Sequence, residues 1–399
     1  MARRIPTWRK PDSVERAVEQ SLAPLSVYFV LGEESGDALG SQIMLALRER
    51  MPDIRFHGLG GHRMERLGLK SLFDVSTISV MGLSAVVARL PVIVRRIRET
   101  ADDIARIRPD VVVLIDSPDF THRVAKRVRT RVPDAKIIKV VCPSVWAWRP
   151  GRARKMRAYI DHVLALLPFE PKVLAELGGP PATYIGHPMV RRFEGISIPR
   201  HDTVSQERVL LLLPGSRRTE VRMLLPDFRK VLEILAERGT SFRAVLPAVP
   251  HLEAEIRTEI ASWPVKPEIV SGEDAKLEAF RSADAALAAS GTVLLELALF
   301  RVPVISIYRL DRLMHMVRFL IYGWSAALPN LVADEAIVPE RVGDMVRPGW
   351  LARALEALLR NGPERQAQLD GFDRVAEILS RSEPAAEIAA RVILEISGN

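Results

Sequence analysis

The feature that most constrains this chain is a repeated rhythm: a short apolar run, a turn rich in Gly, Ser or Asp, then a longer amphipathic stretch. Val27-Tyr28-Phe29-Val30-Leu31 stops at Gly32, and between residues 37 and 50 Leu39, Ile43, Ala46 and Leu47 recur at helical spacing. Residues 54–56 lead into Gly58-Leu59-Gly60-Gly61, residues 111–115 form a fully apolar run that ends at Asp116, and residues 137–141 end just before Pro143. A strand that is apolar along its whole length must be covered on both faces, which is what helices between successive parallel strands provide. The rhythm breaks in a polar stretch at 190–207 (Arg191, Arg192, Pro199, His201, Asp202) and then restarts. Runs follow at 209–213 before Pro214-Gly215-Ser216, at 242–246, at 268–270, at 285–288 before Ser290-Gly291-Thr292, and at 304–308. The spacing predicts an α/β protein of two Rossmann-like domains facing across a cleft, with functional loops at the carboxyl ends of the strands. Residues 351–397 read as helices broken near Gly362-Pro363 and Pro384. The resulting division is a basic N-terminal extension at 1–25, α/β domains at 26–195 and 205–365, and C-terminal helices at 366–399.

Composition removes several alternatives. A single cysteine, Cys142, makes neither an internal disulfide nor a multi-thiolate zinc site, which points to a reducing cytoplasm. The formal net charge of +8 favours a polyanionic partner: nucleic acid, an acidic membrane face or a phosphorylated substrate. Arg3, Arg4, Arg9 and Lys10 lead into Asp12, Glu15 and Glu19 rather than an apolar stretch, so the start of the chain does not read as a secretory leader. No run of about 18 uncharged apolar residues occurs, so no spanning helix is expected. Asp-x-Asp, the phosphate loop ending in Gly-Lys-Ser/Thr, His-Glu-x-x-His and Gly-x-Ser-x-Gly are all missing, and the dinucleotide fingerprint beginning at Gly58 fails at Arg63. ATPase, dehydrogenase and metallohydrolase readings weaken accordingly.

The strand-end turns carry the chemistry. Gly215-Ser216-Arg217 joins a strand to a helix start, where free backbone N–H groups attract anions and an arginine adds a bidentate contact; a Ser-capped helix is the plainer reading. Ser290-Gly291-Thr292, with Glu296 one helical turn later, suits phosphate oxygens and ribose hydroxyls, though a capped helix explains it too. Both turns end strands of one predicted sheet and together sketch a nucleoside diphosphate site. In the first half, Gly32-Glu33-Glu34-Ser35-Gly36-Asp37 carries three carboxylates that would repel phosphate, so it suits sugar hydroxyls or a helix cap. Asp116, before Ser117-Pro118-Asp119-Phe120, is either a cap or a general base for a hydroxyl nucleophile. Trp146 and Trp148 interleave with Arg149, Arg152, Arg154, Lys155 and Arg157, a pattern suited to bases, sugar rings or lipid phosphates. Two mostly apolar stretches, 86–94 and 313–324, are bordered by Arg95, Arg96 and Arg98, and by Arg309, Arg312 and Arg318, as a surface meeting acyl chains and anionic headgroups would be.

Taken in order, these segments, together with Val80-Met81-Gly82, Pro143-Ser144-Val145-Trp146-Ala147-Trp148-Arg149, Leu167-Pro168-Phe169-Glu170, Tyr184-Ile185-Gly186-His187 and Leu328-Pro329-Asn330-Leu331, resemble the lipid-A-disaccharide synthase family of GT-B glycosyltransferases. The resemblance implies inverting transfer of 2,3-diacylglucosamine from UDP-2,3-diacylglucosamine to 2,3-diacylglucosamine 1-phosphate, giving a β(1→6) disaccharide and UDP in lipopolysaccharide synthesis of Gram-negative bacteria. It implies Asp116 as the catalytic base. Gly215, Ser216, Arg217, Ser290, Gly291, Thr292, Glu296 and Asn330 fall on the donor side, and Glu34, Ser35, Asp37, Met81, Gly82, Trp146 and Arg149 on the acceptor or sugar side. Residues 26–195 become the acceptor-side domain and 205–365 the UDP-sugar domain. No metal, no cofactor and no nucleic acid are expected, and the implied location is the inner face of the inner membrane as a peripheral cytoplasmic enzyme. C-terminal helices in such enzymes either cross back onto the first domain or swap into a second copy, which leaves a homodimer open. Where the family leads one to expect Gln-Glu past the Leu-Pro-Asn segment, this chain has Gly343-Asp344. The competing reading is another GT-B UDP-sugar enzyme, an N-acetylglucosaminyltransferase with a lipid acceptor or an epimerase.

Overall fold

The computed structural model describes residues 24–33, 36–78, 83–193, 208–309 and 323–398, with the side chains of 83–88 and 344 excepted. The first half runs β1 (Ser26–Leu31), α1 (Asp37–Arg50), β2 (Arg55–Leu59), α2 (His62–Arg66), α3 (Leu83–Ile107), β3 (Val111–Ile115), α4 (Pro118–Arg131), β4 (Lys136–Val140), α5 (Gly151–Met156), β5 (His162–Ala165), α6 (Glu170–Glu176), β6 (Ala182–Tyr184) and α7 (Pro188–Arg192). The second runs β7 (Arg208–Leu213), α8 (Arg218–Glu237), β8 (Phe242–Ala248), α9 (Glu253–Ile260), β9 (Glu268–Ser271), α10 (Glu273–Ser282), β10 (Ala285–Ala289), α11 (Val293–Leu299), β11 (Val304–Tyr308), α12 (Leu328–Ala333) and β12 (Glu340–Val342). Three helices close the chain: α13 (Pro348–Leu359), α14 (Pro363–Leu379) and α15 (Ala385–Ser397).

Each half forms a six-stranded sheet, in the orders β2-β1-β3-β4-β5-β6 and β12-β11-β10-β7-β8-β9. All pairings are parallel. The chain leaves β1 toward one edge and then returns to lay β3 on its other side; it does the same with β7 and β10. These reversals are topological switch points, and the loops beyond them diverge to leave a crevice. The apolar runs predicted as strands fill the centre: β3 and β10 are buried at every position.

The last helix does not stay with the second sheet. Ala389, Ala390, Val392 and Ile393 of α15 are buried in the core of the first half, against α1, β3 and β4. Arg50 pairs with Glu387, and Lys136 Nζ donates to the Ser397 carbonyl at 2.9 Å. Helix α14 remains on the second half, where Phe372, Val375 and Leu379 are buried. The return crossing passes Tyr184, whose hydroxyl donates to the Leu379 carbonyl at 3.4 Å and whose ring lies under Arg381 at 4.5 Å. The halves also share apolar packing, because Leu167 and Phe193 are buried in the same cluster as Leu294 and Phe300 of the second half. The predicted extension up to residue 23, the linker from 194 onward and most of the second apolar stretch lie outside the described residues, while Leu25, expected in the extension, is buried in the first core.

Candidate active site

At the first switch point Leu31 lies opposite Ile115, so Gly32-Glu33 and Asp116-Ser117 leave the sheet side by side. Gly32 has to lack a side chain, since a Cβ there would overlap the Ser117 Cβ. Asp116 and Ser117 both have positive φ, 54° and 36°, in a region that residues with side chains rarely occupy. Two groups fasten this unusual turn. Ser117 N–H donates to Asp116 Oδ1 at 2.8 Å, and the ammonium of Lys139, wholly buried in β4, donates to the Asp116 carbonyl. Burial lowers the Lys139 pKa to about 7, with nearby Asp116, Cys142 and Glu33 opposing that fall. Asp116 is half-buried at the mouth of the crevice.

Facing it are the loops of the second switch point, where Leu213 pairs with Ala288. Gly215 has φ of +102°, and a Cβ there would meet the Glu220 carboxylate. Ser216 and Arg217 are exposed, and Arg217 contacts Glu220 at 3.0 Å. Ser290 donates to the Ala326 carbonyl at 3.2 Å, while Gly291 and Thr292 are exposed before α11. The two halves meet electrostatically at Glu33. Burial raises its carboxyl pKa first, Asp116 raises it further, and Arg217 and Lys139 pull it down. A carboxylate pair from one sheet and an arginine from the other thus occupy one crevice.

The other predicted residues divide. Glu296 is buried and ion-paired with Lys276 at 2.6 Å, a partner the sequence reading did not include. Asn330 is 2% exposed and fully engaged: its Nδ2 donates to Ser325, Val338 and Glu340, and its Oδ1 accepts from Ile337 and Val338 N–H. It shapes the 325–340 loop. Asp37 is buried and accepts from Arg63 and Met64 N–H at 2.8 and 3.2 Å, so it tethers α2 to α1. Trp146 stacks edge-on against Phe169, donates to the Glu170 carboxylate at 3.3 Å and lies with its carbonyl beside Gly323 of the second half. Arg149 is exposed, with φ of 53°, over the Trp148 ring. At Gly343 the carbonyl accepts from Arg309, which also grips Asp227 through two hydrogen bonds of 2.9 and 2.8 Å. Glu34, Ser35, Met81 and Gly82 lie outside the described residues.

The family model described as lipid-A-disaccharide synthetase matches residues 27–393. The chain belongs to the lipid-A-disaccharide synthase family. It is 48% identical over 378 residues to the lipid-A-disaccharide synthase of Nitrobacter winogradskyi, covering 92% of this chain and 95% of that one. It is 42% identical over 387 residues to that of Rhodospirillum centenum, covering 94% and 95%. Among solved structures, a glycosyltransferase from Rickettsia africae aligns with a TM-score of 0.56 at 11% identity, covering 95% of this chain and all of that one. MurG of Acinetobacter baumannii aligns at 0.53 and 12%, covering 93% and 100%. A UDP-N-acetylglucosamine 2-epimerase of Neisseria meningitidis aligns at 0.55 and 13%, covering 93% and 99%. These likenesses carry the two-lobed GT-B architecture, and the family match makes the protein a glycosyltransferase of lipid A biosynthesis rather than an epimerase.

Proposed function

We propose that this chain joins two acylated glucosamines in the crevice, with Asp116 as general base and the loops after β7 and β10 as the cradle of the donor diphosphate. In this mechanism Asp116 takes the proton from the acceptor 6-hydroxyl as that oxygen attacks the donor's anomeric carbon from the face opposite UDP. The bond from carbon to the phosphate oxygen breaks, and UDP leaves with the charge that Arg217 and the backbone N–H groups of 215–217 and 290–292 are placed to receive. Glu296, steadied by Lys276, presents its carboxylate to the ribose hydroxyls. Asn330 acts by holding its loop in shape, Asp37 by anchoring α2, and Trp146 lines the sugar side of the cleft. The observation that carries the assignment is that Glu33, which feels Asp116 beside it on the first sheet, also feels the Arg217 guanidinium of the second, which pulls its carboxyl pKa down.

Replacing Asp116→Asn should lower kcat by about 10²–10⁴-fold, the worth of a positioned general base, while UDP binding by calorimetry stays within about twofold, since the donor loops lie on the other sheet. Unchanged turnover would remove Asp116 from the chemistry.

The greasy substrates place the enzyme at a membrane surface. No helix among the described residues is long and apolar enough to cross one. Helix α3 instead leaves Leu90 and Val92 each 44% exposed between exposed Arg89, Arg95 and Arg98. Apolar side chains ringed by arginine suit a shallow seat among acyl chains and anionic headgroups, on the cytoplasmic side where UDP-sugars are made.

A further inference from the structure

A basic cavity of about 520 Å³ opens in the first half, between α4 and α5. All of its lining lies within residues 118–159, so it is separate from the donor loops of the second sheet. Arg123, Lys126, Arg149, Arg152 and Lys155 line it. Against these five cations stands one carboxylate, Asp119, 3.7 Å from Arg152. Neither Arg123 nor Lys155 has an ion-pair partner among the described residues. Lys126 sits over the Tyr159 ring at 5.0 Å.

A second, independent feature points to a ligand. His122 lines the cavity yet is only 5% exposed, and its Nε2 has no hydrogen-bond partner among the described residues. Its other nitrogen, Nδ1, lies 3.4 Å from the Tyr159 hydroxyl. Burial, then Lys139, Arg152 and Lys126, lower the His122 pKa to about 3, which keeps the ring neutral. One ring nitrogen thus lies against the Tyr159 hydroxyl, while the other, Nε2, is a buried polar atom with no partner among the described residues. Buried polar atoms are seldom left unmatched.

We infer that this cavity receives the phosphate monoester of the acceptor sugar, its oxygens accepting from His122 Nε2 and from the lysines and arginines around it. The inference rests on the acceptor assignment above and names where its charged end goes. The cavity wall begins at Pro118, two residues after Asp116, a chain separation of no more than about 7 Å. The cavity therefore opens beside the base, and in this arrangement the acceptor would set its 6-hydroxyl on Asp116 and turn its 1-phosphate toward the cations. Charge-assisted contacts of this kind fix orientation, so phosphate capture would select which end of the acceptor meets the base.

The test compares two acceptors, 2,3-diacylglucosamine 1-phosphate and the same sugar without phosphate, in the parent and in a Lys126→Ala/Lys155→Ala double variant of two exposed side chains. The ratio of the two kcat/KM values should favour the phosphorylated acceptor in the parent and fall about tenfold or more in the variant; an unaltered ratio overturns the inference. In parallel, glucosamine 1-phosphate and inorganic phosphate are titrated onto the isotopically labelled protein. Saturable movement of the His122 ring signals, missing in His122→Asn, supports the site, and a flat titration removes it. If the double variant loses affinity for phosphatidylglycerol vesicles while the acceptor ratio holds, the cavity serves a membrane headgroup and the inference fails. Should the parent release no UDP with either acceptor, the functional assignment fails, and the His122 titration still decides whether the cavity binds phosphate.

Discussion

Glu170 shows how a single buried carboxyl under the crevice converts pH into stability. It lies beneath Trp146 and accepts from the Leu167 N–H at 3.0 Å, and burial raises its pKa from 4.5 to about 7. The folded state thus keeps a proton that the unfolded chain has already released. Stability should fall as pH rises from 4.5 toward 7, with no cost below that window and the full cost, about 3 kcal/mol, above it. Glu170→Gln removes the titration. Urea unfolding at pH 4.5 and pH 8 should show a smaller loss in the variant than in the parent, by about 2–3 kcal/mol; equal losses would mean that Glu170 titrates as an exposed acid. At this scale the sequence disclosed residue types at strand ends but not where they point. Asp116, Gly215 and Arg217 were legible because a turn after an apolar strand faces the crevice whatever its neighbours do. Asn330 and Asp37 read as ligands and are consumed by backbone N–H groups, since an exposed contact and an internal cap use the same side chain. Lys139 and His122 went unread, although a lysine inside the apolar run Ile137-Ile138-Lys139-Val140-Val141 is itself a signal: a charge in a central parallel strand is buried and must be bonded to something.

Among the elements, long central strands and amphipathic helices followed the sequence closely, and the edges did not. Strand β3 and helix α1 match the predicted limits, and the breaks at Gly362-Pro363 and Pro384 separate α13, α14 and α15. Strands β6 and β12 escaped notice because they are short and only half-buried, so no apolar run marks them, whereas the apolar run at 163–167 that holds β5 was passed over. Helix α3 continues through Pro91 for 25 residues, although proline in a helix interior removes one backbone hydrogen bond. The crossing of α15 had a resemblance behind it but no local signal, because nothing in an apolar stripe says which lobe it will cover. Its energetic importance can be measured. Removing residues 385–399 takes Ala386, Ala389, Ala390, Val392 and Ile393 out of the core they share with the first lobe, a loss on the order of 5 kcal/mol at the usual value of apolar burial. The truncated chain should show a clearly lower urea midpoint for the first lobe; an unshifted midpoint would mean that α15 rests there without stabilising it.

For the molecule as a whole, charge and greasiness act together. In the proposed seat on a membrane, a net charge of +8 would draw the protein toward anionic lipid, and Leu90 and Val92 would offer the apolar contact that holds it there. Leu90→Glu/Val92→Glu should reduce sedimentation with phosphatidylglycerol vesicles at least about tenfold, and added salt should weaken the parent's binding as well. Retained binding would place the membrane-facing surface elsewhere. The two-lobed plan was readable because the strand rhythm stops and restarts. The placement of one lobe against the other was not, because it depends on Trp146 meeting Gly323, Tyr184 meeting Arg381, and the final helix travelling back. That return has a bearing on biosynthesis. The helix that covers α1 is translated only after the whole second lobe, so the first lobe emerges without its lid and stays uncovered while some two hundred further residues are added, roughly 10–40 s at ordinary elongation rates. Throughout that interval the nascent chain offers a bare oily strip to whatever binds such surfaces, and its first lobe becomes native only once α15 has emerged.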